Sequence, residues 1–95
     1  MLTHAELKAK ALQNADVKQA YDGLEEKYAL LREMLHARSA AGLTQAEVAA
    51  RMDTQAPAIA RLERLGKHSP SIETLRKYAQ AVGCKLEIRL VPQEP

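Results

Sequence analysis

The side chains that could carry catalysis are few and far apart. His4, His36 and His68 stand at no ligand-type spacing to one another or to Cys84, the single cysteine. The chain has no glycine-rich phosphate loop and no local serine–histidine–aspartate signature. An enzyme, a metal site, a cofactor and a small-molecule substrate are therefore not expected. Cys84 opens an amphipathic run and reads as a small packing residue. One cysteine cannot form an internal disulfide, which fits a reducing cytoplasm. The remaining chemistry is that of polar and basic groups. Residues 1–37 hold 5 basic and 6 acidic side chains, whereas residues 38–95 hold 9 and 6. A basic C-terminal two-thirds suits a polyanionic partner. Lys67, His68 and Ser69 form a donor-rich loop whose groups match a phosphate backbone.

Such groups need a scaffold, and the chain of 95 residues is sized for one domain. The hydrophobic share of 46% predicts a packed core, and with no Phe or Trp that core must be mainly aliphatic. The N-terminus is polar and has no continuous apolar stretch, so neither a signal peptide nor a membrane span is expected. Thr3 with Glu6 forms a capping box for a short helix from about residue 4 to 14, and Asp16 reads as a further N-cap. Leu24, Tyr28, Leu31 and Leu35 follow one helical face, and Gly42 ends that helix. Thr44 and Glu47 form the next capping box. Thr54 is read as the cap of the following helix, with Pro57 in its first turn. Ser71 caps a final helix whose Ile72, Leu75, Tyr78, Ala79 and Val82 are expected to face the core, with Gly83 closing it.

The stretch from Gln45 to Glu63 is the most specific signal. Val48, Met52, Ile59 and Leu62 are spaced to fill the angle between two short helices, and Ala49 is small where they must approach. Asp53 occupies the sharp turn, which calls for a residue tolerant of positive φ. Leu43-Thr44-Gln45-Ala46-Glu47-Val48-Ala49 and Ala58-Ile59-Ala60-Arg61-Leu62-Glu63 resemble the phage-repressor-like (Xre) helix-turn-helix family without a gap. The resemblance implies that the second helix enters the major groove of operator DNA. Gln55, Ala56, Ala58 and Arg61 would then lie at the base edges, and Gln45, Thr54, Lys67, His68 and Ser69 at phosphates. Family members often carry Gln at the position of Ala56, so reading should rest on Gln55 and Arg61. Arginine can hold guanine O6 and N7 together. The loop around Lys67 is one residue longer than the family's usual turn. Arg38 and Glu63 resemble a structural ion pair of repressor relatives.

The flanks narrow the resemblance. Ala15-Asp16-Val17-Lys18 and Leu24-Glu25-Glu26-Lys27-Tyr28 before the motif, and Gly83-Cys84-Lys85-Leu86-Glu87-Ile88-Arg89-Leu90 after it, look like HigA-type antitoxins of bacterial toxin–antitoxin pairs. Such a protein represses its own operon as a dimer and neutralises a RelE-like mRNA endonuclease. The implied partners are double-stranded operator DNA, a second copy and a small basic toxin. A stand-alone repressor and an interaction module without DNA affinity are the alternatives. The expected fold is mainly α. A repressor-like five-helix domain at residues 23–83 follows a helical extension at residues 1–22. The extension either orders on a basic partner or packs on its own domain. Residues 84–95 form a tail in which apolar and charged residues alternate through Leu86, Ile88 and Leu90. A lone strand cannot satisfy its backbone, so pairing across a dimer is expected.

Overall fold

The computed structural model describes residues 6, 15–64, 66 and 69–94. The expected helix over residues 4–14, apart from Glu6, lies outside them, as do Thr3, His4, Lys67 and His68. Four helices follow in order: α1 Ala15–Ala41, α2 Gln45–Arg51, α3 Ala56–Leu62 and α4 Ile72–Ala81. A fifth helix of the expected domain is not formed among the described residues. α1 crosses residue 22 without a break. The chain is already helical at Ala15, so Asp16 lies inside the helix and is not its cap. No helix among the described residues is long and apolar enough to cross a membrane.

Each junction has a local chemical cause. Gly42 has φ of 69°, and the Leu43 amide returns to the Arg38 carbonyl at 3.2 Å. This satisfies a carbonyl left open at the end of α1. Thr44 Oγ1 accepts from the Glu47 amide at 3.1 Å, and Glu47 Oε1 accepts from the Thr44 amide at 3.1 Å, a reciprocal box that starts α2. Asp53 turns the chain with φ of 56°. The next helix begins one residue later than expected. Gln55, not Thr54, is its N-cap, and its side chain makes no capping bond. Pro57 in the first turn supplies the preset φ instead. Ser71 Oγ accepts from the Thr74 amide at 3.1 Å to open α4.

Val48 and Ile59 are fully buried where α2 meets α3. Met34, Ala49, Tyr78, Ala81 and Val82 complete the core, with Met52, Leu62 and Leu75 packed around it. α1 presents Leu30, Met34 and Ala37 to this core. Of the stripe singled out in the sequence, Leu24, Tyr28 and Leu35 are exposed instead, with Tyr28 at 46%, and Leu31 is half-buried. Both stripes obey helical spacing, and only the packing decides between them. Ile72 is likewise turned outward at 56%, because the first turn of α4 lies beyond the core. Arg51 Nη1 donates to the Ala81 carbonyl at 2.8 Å, tying α2 to the C-terminal end of α4.

Residues 84–94 form neither helix nor strand in the single chain. Leu86 is half-buried, whereas Ile88 is exposed and Leu90 is 98% exposed. The expected strand is absent here because a strand needs a second one to pair with, and these residues find none among the described residues of their own chain.

Ile59→Ala should lower the unfolding free energy by about 3 kcal/mol, since it opens a cavity at the centre of the two-helix junction. Urea denaturation with an unchanged m-value would check it.

Candidate nucleic-acid interface

The interface rests on one buried carboxylate. Glu63, at the end of α3, has a side chain only 2% exposed. Its Oε2 accepts from Arg38 Nε at 2.8 Å and from the Tyr78 hydroxyl at 2.6 Å. Its Oε1 accepts from Gln45 Nε2 at 3.0 Å. Arg38 comes from α1, Gln45 from the start of α2 and Tyr78 from α4, so a single side chain fixes α3 against every other helix. The Tyr78 oxygen also lies 3.0 Å from the Met34 carbonyl, but its one proton favours the shorter path to the carboxylate.

Electrostatics follow from the geometry. Burial pushes the Glu63 pKa upward, but the hydrogen bonds from Arg38, Tyr78 and Gln45 outweigh it and hold the group below its ordinary value. The hydrogen bond to Glu63 raises Arg38. Burial, then the bond and the charge of Glu63, raise Tyr78, which keeps its proton. Glu47 is also lowered, first by the Thr44 backbone amide.

The hub sets the pose of α3, and the polar groups of α3 are left facing outward. Gln55 and Arg61 are exposed, Ala56 and Ala58 half-exposed. Ala58 and Arg61 line one cleft together with Thr54 and Ser69. Gln45 sits apart at the start of α2, where one amide proton is committed to Glu63 and the second is left for another acceptor. Sequence reasoning missed Tyr78 as a polar partner, because its place on the apolar face of α4 hides the destination of its hydroxyl. It also missed Arg64 and Lys77, which line that cleft from the α3–α4 loop and from α4.

Two short helices joined by a tight Asp53 turn, with a core between them and polar groups on the outer face of the second, define a helix-turn-helix, the architecture of proteins that read the major groove. Residues 36–88, just over half of the chain, match the helix-turn-helix family, and the chain belongs to its Xre-like group. Comparisons with curated proteins and with solved structures give no match. Family membership makes the chain a DNA-binding protein of the transcription-regulator class.

Because the folded Glu63 pKa lies below the unfolded value of about 4.3, its contribution is fully present above that range. It is lost as pH falls through the folded value. Glu63→Ala should therefore cost about 3 kcal/mol at neutral pH, the low end for a broken buried pair, because Arg38 stays 23% exposed. Glu63→Gln should flatten the acid limb of the stability profile. Denaturation curves from neutral pH down to about pH 3 would read both effects.

Proposed function

We propose that this chain is a sequence-specific repressor that acts as the antitoxin of a toxin–antitoxin pair, binding its own operator as a dimer and a small basic endonuclease toxin through its N-terminal part. The observation that carries the DNA reading is that Gln55 at the N-cap of α3 and Arg61 in its last turn are turned outward while Ile59 and Glu63 lock the helix from behind. In the groove, Gln55, Ala56, Ala58 and Arg61 approach base edges. Gln45, Thr54, Lys67, His68 and Ser69 approach phosphates, which contribute affinity and register but no sequence information.

Dimerisation has a physical motive. One such unit reads few base pairs, and two related by a dyad read half-sites about 34–36 Å apart. The tail supports this reading, since Ile88, Leu90 and Val91 are apolar, exposed and without a ladder of their own. We assign residues 84–91 to an antiparallel pairing with the second copy. The toxin reading is supported by α1, whose exposed Leu24, Tyr28 and Leu35 precede the stretch matched to the family or stand at its edge. A stand-alone repressor would share the DNA face but leave that apolar stripe without a use.

Arg61→Ala should reduce discrimination between the operator and a scrambled duplex by about 1–3 kcal/mol, read by competition binding at fixed salt. Equal discrimination in the variant would remove Arg61 from the base-reading set. Truncation after Gly83 should give monomers by sedimentation, with operator affinity strongly reduced. A truncated chain that stays dimeric would exclude the tail as the main interface. Co-expression with the neighbouring open reading frames should yield a stoichiometric complex with a small basic protein whose toxicity this chain suppresses. No such partner, with promoter binding intact, would favour the stand-alone repressor.

A further inference from the structure

Between α3 and α4 runs an open cleft of about 840 Å³. Arg61 lines it from α3, Arg64 and Ser69 from the loop that follows, and Thr74 and Lys77 from one face of α4. Asp53, at the turn before α3, is the one carboxylate among its described lining residues. Arg61, Arg64 and Lys77 are exposed, and among the described residues none of them is paired with an acid. Among the described residues the one ion pair that α4 forms, Arg76 with Glu73, is contained within the helix. Three cations from three successive segments thus converge on one concave surface that opens beside the reading helix.

We propose that this cleft is a track for the DNA sugar-phosphate backbone and that Arg64 and Lys77 are phosphate-binding residues, so that the DNA footprint extends beyond the helix-turn-helix onto α4. The proposal rests on the DNA-binding reading above and goes further in naming where the flanking strand lies. To a backbone leaving the groove at Arg61 the same lining offers two further cations, Arg64 and Lys77, and the Ser69 hydroxyl as a neutral donor. Lysine serves here as a point charge at the end of a flexible stem, able to follow a phosphate without fixing the base beside it. Arg64 and Lys77 therefore contribute to affinity for any duplex, and Arg61 contributes to the choice among them. The core packing of α4 runs through Leu75, Tyr78, Ala79, Ala81 and Val82, so the outward Lys77 can be changed without disturbing it.

The test is the salt dependence of binding by the full chain, with the duplex upstream of its own gene and a scrambled duplex as probes. Removing one cation that neutralises a phosphate lowers the slope of log affinity against log salt by about 0.9. Lys77→Gln should weaken binding to both duplexes by the same factor. Between about 50 and about 200 mM salt its deficit against the parent should shrink by about 3.5-fold, which is that slope over a fourfold range. Arg64→Gln with Lys77→Gln should lower the slope by about 1.8. Lys18→Gln, an equal charge change on exposed α1 and outside the cleft, should leave the slope unchanged. A parental slope in Lys77→Gln, or an equal drop in Lys18→Gln, would overturn the cleft assignment while leaving DNA binding itself intact. No binding of the parent to either duplex would overturn the DNA reading and the proposal with it.

Discussion

A buried carboxylate is unfavourable until both its oxygens are hydrogen-bonded, and Glu63 has recruited a donor from each helix that surrounds it. That requirement explains features which otherwise look independent. Arg38 must sit in the last turn of α1, Tyr78 must bring a hydroxyl into an apolar face, and Gln45 must open α2 with its amide turned inward. The short α3 has no side-chain cap and only seven residues, so it cannot hold itself in place by helix propensity. Its orientation comes from Ile59 beneath and Glu63 at its end. The outward placement of Gln55 and Arg61 is the consequence of that clamp.

The clamp also divides the molecule into faces with different tasks. The side of α3 that bears Gln55 and Arg61, with the adjoining cleft that adds Arg64 and Lys77, carries exposed cations suited to a duplex. The exposed row Leu24, Tyr28 and Leu35 on α1 is apolar, as are Ile88, Leu90 and Val91 in the tail. None of these groups contributes to the core, and each is a surface on which a protein partner would gain free energy by excluding water.

Much of this was legible in the sequence where the cause is local. The Thr44–Glu47 box, the Gly42 stop, the positive φ of Asp53 and the burial of Val48 and Ile59 all depend on residues a few positions apart. What the sequence misassigned depends on packing. α1 carries two apolar rows at the same period, and its core row is Leu30, Met34 and Ala37 because those residues meet α2, α3 and α4. Ile72 fits the period of α4 but falls outside the core, and Thr54 has the chemistry of a cap although the helix starts after Gln55. Arg64 and Lys77 lie thirteen positions apart, and only the fold brings them to one cleft. The tail reads as a strand by alternation, yet no ladder forms among the described residues of the single chain.

Whether the Glu63 clamp presents α3 and its flanking cleft as the DNA surface is tested most directly by chemical-shift mapping. Amide and side-chain signals of the full chain would be followed as it is titrated with the duplex upstream of its own gene. Shifts should concentrate at Gln45, Gln55, Arg61, Arg64 and Lys77, with Leu24, Tyr28 and Leu35 unmoved. Shifts confined to α1, or none on α3 at saturating duplex, would contradict the clamp's role in presenting that surface.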